Sequence, residues 1–357
     1  MTEPAAMVTD ASTATKDLHA HVVDKIYPAK PSSMSANGRI GDTDVDVDVD
    51  VDGSIDALER YQTEYSQSIS NPSKYWSDKA SLLTWSQPFH DVLQGDLKHG
   101  DVAWFVGGKL NVCYNAIDRH VSGGKADDIA LIWEGDEPDD IRKLTYAELL
   151  RKTSQIAHAM KSEGVRKGDV VTVYMPMIPE LLMTMLACAR LGAIHSVVFA
   201  GFSSEALAQR ISAAASKFVV TADVGRRAGK TIQLKSIVND SRTKHDCEDL
   251  LEKVLVFERF FDPAHEEAPY EMQPKDVRMD LLVAVQRPYF VPEPMDAEDG
   301  LFLLYTSGST GKPKGLLHTT AGYALYAMLT TKTTFDLQPG DLFACVADCG
   351  WITGHCK

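Results

Sequence analysis

The chain has no uninterrupted apolar run approaching the roughly 18 residues that a membrane-crossing helix requires. No such span is therefore expected in its 357 residues. Its first residues, MTEPAAMVTDASTATKD, lack a basic segment followed by an apolar one and lack an Arg-rich amphipathic pattern, so neither a secretory signal nor a transit peptide is expected. Positive charge is scarce as well: 36 Lys and Arg stand against 50 Asp and Glu, a formal charge of −14. That balance argues against nonspecific binding to nucleic acid or to an anionic membrane, while leaving room for a local cationic pocket. Cysteine is limited to Cys113, Cys188, Cys247, Cys345, Cys349 and Cys356, with no repeated CxxC. Cys345 and Cys349, with His355 and Cys356 nearby, do not have the ligand spacing of a zinc site, so no metal site is expected. The thiols are read as reduced, in the cytoplasm or the nucleus.

What is present divides the chain in three. Residues 1–60 are rich in Ser, Thr, Pro, Ala and Asp and hold the repeat DTDVDVDVDVDG, Asp42 to Gly53. Its alternation has the period of a strand, but closely spaced carboxylates repel one another, and the glycine punctuation of an EF-hand is missing. A disordered acidic extension is expected there. Residues 61–128 are mixed and aromatic-rich, with Trp76, Trp85 and Trp104, and read as a layer wrapped on the main domain.

From residue 129 to 357 the pattern becomes regular. IALIWEG reads as a strand, and TYAELLRKTSQIAHAMKSEG as an amphipathic helix with a Thr145/Glu148 capping box and a stop at Gly164. DVVTVYM, AIHSVVFA, KFVVTAD and KVLVFE read as further strands. Between them lie a helix with Pro179 in its first turn and Gly192 past its end, and another that Ser203 caps. Strands alternating with helices predict an α/β fold of layered parallel-sheet subdomains, which bind ligands in the loops after the strands.

Four such loops stand out. YTSGSTGKPKG follows the apolar run LFLL. Gly308 and Gly311 allow main-chain N–H groups to converge on an anion, Thr306, Ser307, Ser309 and Thr310 add hydroxyls, and Lys312 and Lys314 add charge. That inventory suits a polyphosphate. It is not the P-loop of ATPases, since Thr306 stands where the first glycine belongs and Pro313 follows Lys312. The competing reading is a polar hairpin between two strands. ADVGRRAGKTIQLK gathers Arg226, Arg227 and Lys230 around Gly225 and Gly229, a set that suits phosphate or is simply a solvated basic turn. FAGFSSEAL offers Gly201 for close backbone approach, and ADCGWITGH holds Trp351, which is either a pocket wall or a core residue. His195 and His318, set in apolar strands, read as satisfied core residues.

The first of these motifs, with LLHTTAGY after it, resembles the phosphate-binding signature of the adenylate-forming superfamily. DRH (Asp118–His120), IWEGD, YMPMIPE, LACARLGAIHSVVFAGFSSEAL and ADCGWITGH are similar to its acetyl-CoA synthetase branch, from about residue 61 to His355. The resemblance implies a two-step ligation: acetate attacks the α-phosphate of ATP, with Mg²⁺, and CoA then displaces AMP. It assigns Thr306, Ser307, Gly308, Ser309, Thr310, Gly311 and Lys312 to the ATP phosphates, with Thr306, Lys312 and Lys314 acting in catalysis. It assigns Gly201, Arg227, Ala228, Gly229, Lys230 and Thr353 to CoA, where Arg227 and Lys230 meet its 3′-phosphate. Trp351, Ile352 and Thr353 would line the acyl pocket. Acetate needs no general base, so neither Asp348 nor His355 receives a catalytic role.

The departure comes after His355, where the family has Ser-Tyr and a long continuation and this sequence has Cys356 and Lys357. The expectation is an N-terminal portion without the family's C-terminal domain, lacking turnover in isolation and with part of its sheet uncovered. A noncatalytic CoA- or nucleotide-binding fragment and a propionate–CoA ligase are the alternatives.

Overall fold

The computed structural model describes residues 51–355, except 97, 138, 228, 260–269 and 307–312, and only the backbone of 51–57. The chain divides into two compact units, Met1–Gln62 and Thr63–Lys357. The described part of the first is helical, because helix α1 (Val51–Ser70) starts within the Asp-Val repeat and crosses the boundary expected at residue 60. The rest of that repeat lies outside the described residues.

The second unit is built on a seven-stranded sheet. Its strands are β6 (Val170–Tyr174), β7 (Ile194–Val197), β8 (Phe218–Ala222), β11 (Lys253–Phe257), β12 (Asp276–Arg278), β14 (Gly300–Thr306) and β15 (Lys314–Thr319). Numbering counts five short strands before β6 and three others in sequence order. The order is β12-β11-β8-β6-β7-β14-β15. All neighbours are parallel except β14 and β15, so the carboxyl ends of β6, β7, β8, β11 and β14 share one edge. At the outer strand, β15, Leu316 and Leu317 are exposed.

Strand period explains the two-sided burial. Val171 and Val173 of β6, Phe218 and Val220 of β8, and Leu255 and Phe257 of β11 enter one core, while Tyr174, Val219, Ala222, Val254 and Val256 enter the other. Alternate residues of a strand point to opposite faces, and here both faces are covered. IALIWEG does form a strand, β4 (Ile129–Glu134), but it pairs antiparallel with β5 (Ile141–Thr145) outside the main sheet. Its burial is only partial, with Ile129, Ile132 and Glu134 exposed and the others half-covered, which suits a ribbon at the margin.

The helix signals hold at their ends. The Glu148 N–H donates to Thr145 Oγ1 at 3.2 Å and the Thr145 N–H to Glu148 Oε2 at 3.0 Å, closing a capping box on α3 (Tyr146–Ser162). Here α2 is Pro72–Ala80. Helix α4 (Pro179–Leu191) ends at Gly192, whose φ of +75° is left-handed, and a Cβ there would stand 2.6 Å from Met295 Sδ. Ser203 caps α5 (Ser204–Ala213) by accepting from the Ala206 N–H at 3.3 Å. The aromatic-rich segment forms a third core: Leu83, Phe105 and Leu110, with Trp76, Trp85 and Trp104 packed on it, share that core with Ala297, Ala321 and Leu325.

Candidate functional site

β8 ends at Ala222, and the buried Asp223 closes it by accepting from the Val224 N–H at 2.6 Å and the Arg259 N–H at 2.9 Å. The chain then folds into a small hairpin of β9 (Gly225–Arg227) and β10 (Lys230–Ile232), with Arg227 opposite Lys230. Gly229, at φ +73°, supplies the left-handed turn residue; Ala228 lies outside the described residues. Two cations therefore stand side by side at the hairpin tip, both exposed. Arg226 points elsewhere, to Glu137 at 3.4 Å.

The Arg227 guanidinium lies over the Phe199 ring, 4.9 Å from its centroid. Gly201 makes that stack possible: a Cβ there would come within 2.3 Å of Phe199 Cε1 and 2.8 Å of Arg227 Nη1. Phe199 belongs to the loop after β7, so the basic hairpin and FAGFSSEAL meet. ADCGWITGH joins them, because a Cβ on Gly350 would lie 3.1 Å from the Phe199 nitrogen and the Cys349 N–H donates to Met177 Sδ at 3.5 Å. Burial pushes the Asp348 carboxyl up, opposed by the Gly350 N–H at 2.7 Å and by the charge of Arg227.

The phosphate-loop candidates sit on the same edge. β14 carries Thr306 at its carboxyl end, directly opposite Lys314 of β15 in register, and both side chains are exposed. The strands on either side thus form an antiparallel pair. Ser307, Gly308, Ser309, Thr310, Gly311 and Lys312 lie outside the described residues. The stem is tied to α5: Arg210 lies 5.8 Å from the Tyr305 ring centroid and 4.5 Å from that of Phe202, and the Tyr305 hydroxyl donates to Arg210 O at 3.4 Å.

Trp351, Ile352 and Thr353 are placed differently from the other candidates. All three are exposed, Trp351 at 53% and Ile352 at 42%, on a short helical turn, Ile352–His355. They share the neighbourhood of Asp348 but are not enclosed.

Sequence reasoning missed two features. One is the Phe199–Arg227 stack, signalled only by an aromatic next to a glycine pair of positions. The other is a histidine pair: His355 Nε2 lies 2.9 Å from His195 Nε2, with the rings 4.9 Å apart at 7°. His355 Nδ1 lies 3.0 Å from Cys349 O, and a carbonyl can only accept, so Nδ1 carries the proton and Nε2 accepts from the His195 Nε2–H. That leaves His195 Nδ1 as a buried acceptor without a partner among the described residues, so this histidine is not fully satisfied. Burial pushes His355 down to about 4, aided by the charge of His318 and resisted by Cys349 O. Burial and the neighbouring His355 hold His195 well below its ordinary range. The neutral pair packs on Phe302 and pins the end of ADCGWITGH to β7 and β14. His318 stacks on the other side of this cluster, 4.3 Å from Phe302.

Among known proteins, the AMP-binding enzyme family matches residues 117–357 and the acetyl-coenzyme A synthetase N-terminus matches residues 61–116. The acetyl-coenzyme A synthetase of Phycomyces blakesleeanus is 50% identical over 302 residues, which cover 84% of this chain and 44% of that protein. That of Psychromonas ingrahamii is 47% identical over 304 residues, covering 85% and 46%. Acetyl-coenzyme A synthetase 2 of Saccharomyces cerevisiae is 49% identical over 304 residues, covering 85% and 43%. The chain thus spans less than half the length of the relatives it matches. In fold it is similar to the acetoacetyl-CoA synthetase of Streptomyces lividans, with a TM-score of 0.70 at 24% identity over 82% of this chain and 43% of that one.

Proposed function

The chain belongs to the AMP-binding enzyme family, with an acetyl-coenzyme A synthetase N-terminal region ahead of the matched domain, and on that premise we propose that it is part of an AMP-forming acetate–CoA ligase. The observation that carries this reading is the convergence of Arg227, Lys230, Gly201 and Asp348 on the sheet edge where β14 delivers Thr306. In the first step a carboxylate oxygen of acetate attacks the α-phosphorus of ATP, the bond to the pyrophosphate oxygen breaks, and acetyl-AMP forms. In the second the CoA sulfur attacks the acetyl carbonyl and AMP leaves.

Pyrophosphate departure builds charge on the β and γ oxygens. Donors fixed where that charge develops are worth about 2–4 kcal/mol each in a site that excludes water. The hydroxyls of Thr306, Ser307, Ser309 and Thr310, the N–H groups of Gly308 and Gly311, and Lys312 and Lys314 are the donors we assign to that task. Mg²⁺ arrives with ATP and neutralises phosphate charge. Among the described residues no cluster of three or more His, Cys, Asp or Glu could hold a metal ion.

Arg227 and Lys230 fit the 3′-phosphate of CoA, two cations on a rigid hairpin with one of them oriented by an aromatic face. We assign Gly201, Ala228 and Gly229 to the same nucleotide, Thr353 to the pantetheine arm, and Trp351 and Ile352 to the acyl wall. Ligation is assigned to the protein at the length of its relatives; for the 357-residue chain alone, binding without turnover is expected. No helix among the described residues is long and apolar enough to cross a membrane. The few cysteines, with no repeated CxxC, favour a reducing compartment, cytoplasmic or nuclear. Small molecules, not nucleic acid, are the partners that the acidic charge favours.

Calorimetry of the chain with CoA and with 3′-dephospho-CoA tests the assignment. Charge-assisted contacts of about 1.5–3 kcal/mol predict roughly 10–100-fold tighter binding of CoA, lost in Arg227→Ala. Equal binding of the two ligands would refute the 3′-phosphate site. Acetate-dependent ATP–pyrophosphate exchange by the protein at family length tests the ligase, and exchange driven by propionate in preference to acetate would move the substrate assignment.

A further inference from the structure

A cleft of about 280 Å³ lies on the other side of the sheet, lined by Trp85, Tyr114, Pro292, Glu293 and Pro294 among others. Its position follows from the backbone: the Glu293 N–H donates to Arg190 O at 2.9 Å, at the carboxyl end of α4, whose chain leads through Gly192 into the amino end of β7. The candidate ligase loops occupy the carboxyl ends of the same strands. Nothing in that chemistry uses this cleft.

Its walls are held from behind. The Trp85 indole donates through Nε1 to Ala80 O at 2.9 Å, and its ring packs on Phe89 at 5.1 Å and Phe105 at 5.6 Å. The segment Pro292-Glu293-Pro294 is fixed on both sides, by Arg190 O and by the buried Asn111, whose Nδ2 donates to Glu293 O at 2.9 Å and to Ala189 O at 2.8 Å. Asn111 Oδ1 also accepts from the Tyr114 N–H at 3.2 Å, so one buried amide ties two walls together. Each proline adds a locked φ and offers no N–H.

Against these committed groups, two are uncommitted. Among the described residues, neither the Glu293 carboxylate nor the Tyr114 hydroxyl has a hydrogen-bond or ion-pair partner. Lys167 donates to Pro294 O at 3.3 Å and its charge is balanced by Asp299 at 2.9 Å, while Arg190, whose O accepts from the Glu293 N–H, is paired with Asp118. The cleft therefore combines two aromatic side chains, two proline rings and one unneutralised carboxylate. Such a setting suits a weakly hydrated organic cation, which gains from ring quadrupoles and a carboxylate together and loses little water on entry. An inorganic cation, strongly hydrated, gains less from apolar walls. The volume sits below the roughly 300–1,000 Å³ of drug-sized pockets, so the ligand is a small headgroup.

We propose that the Trp85–Tyr114–Glu293 cleft is a binding site for a small organic ammonium ion of the methylated-amine class. The test is titration of the 357-residue chain with choline and, separately, with its neutral isostere 3,3-dimethylbutan-1-ol, following the Trp85 indole N–H resonance at constant ionic strength. Saturable binding of choline is expected, with the neutral isostere and the Glu293→Gln variant each weaker by about tenfold or more, since a desolvated cation–π contact plus a carboxylate exceeds the 1.4 kcal/mol that tenfold requires. Tyr114→Leu, checked for an unchanged melting curve, should weaken choline as well. No saturable shift overturns the proposal, and so does equal binding of choline and the alcohol, which would make the cleft a plain apolar slot. Glu293→Gln is a safe variant for folding, because that side chain makes no contact that a carboxamide would forfeit.

Discussion

Lowering the pH from 7 to 5 should destabilise this chain through one identifiable pair. His355 holds its proton-binding affinity at about 4 in the fold against an ordinary 6.5, with burial as the main cause. A depressed folded value means that between the two the unfolded chain binds a proton the folded chain refuses. Stability is therefore complete above 6.5 and falls as the pH drops towards 4. The full gap, 6.5 minus about 4, is worth about 3 kcal/mol at 1.36 kcal/mol per pH unit. Roughly 1.4 kcal/mol of that should be gone by a pH one unit below the unfolded value. The partner His195 is shifted in the same direction. Protonating both rings would also break the shared hydrogen bond, because two imidazolium rings offer each other only donors. Urea unfolding at several pH values, with constant m, measures the slope. Comparison with His355→Gln removes the general acid sensitivity of carboxylates elsewhere. Parallel stability curves for wild type and variant between pH 7 and 5 would refute the reasoning.

Asp118→Asn should cost about 3–5 kcal/mol, because Arg190, fully buried, is gripped by both Asp118 oxygens at 2.7 and 2.9 Å and would keep its charge without a counterion. Denaturation midpoints check this, and replacing both residues by apolar ones of similar volume should restore most of the loss. Gly201→Ala should displace Phe199 or Arg227, given a Cβ 2.3 and 2.8 Å from them, and weaken CoA binding several-fold while leaving the melting temperature within a few degrees. Calorimetry and a thermal scan on one preparation separate the two effects. Thr145→Ala should lose the capping box and about 1 kcal/mol of stability without touching CoA affinity.

Much of the fold was legible because its signals are local. Period-two burial marks β6, β8 and β11, and the ends of α3, α4 and α5 carry Thr145, Gly192 and Ser203, whose chemistry acts within a few residues. The same rule misplaced Ile129–Glu134, since alternation cannot say whether a strand pairs with the main sheet or with the next strand in sequence. Within the candidate site, glycines and cations singled out the loop after β8 and Gly201, but the Phe199 stack joins residues on different loops and leaves no local trace. The histidine pair joins positions 160 residues apart, of which His195 alone read as a core residue and His355 received no role. Apolar character at Trp351 and Ile352 reports size and shape. It says nothing of what covers them, and here both are exposed.

The two features hidden from sequence also bear on the segment from Asp348 to His355, which we propose as the acyl wall. Asp348 feels the charge of Arg227, at the tip of the basic hairpin, and His355 packs on His195 of β7 and Phe302 of β14. The stretch from Asp348 to His355 is thereby held at its His355 end and lies within the charge of Arg227 at the other, between the hairpin we propose for the CoA 3′-phosphate and the strand β14 that leads towards the proposed ATP loop. A two-step ligation needs such a bridge, because one carbonyl must first meet a phosphorus atom and then a sulfur atom without leaving the protein. In the proposed ligation the wall that holds that carbonyl has to be fixed relative to both nucleotides, and a segment anchored by a neutral histidine pair has that property at its end. On that proposal, releasing the histidine anchor should impair the second step more than substrate binding itself, whereas a wall that hangs free would let the two steps fail independently.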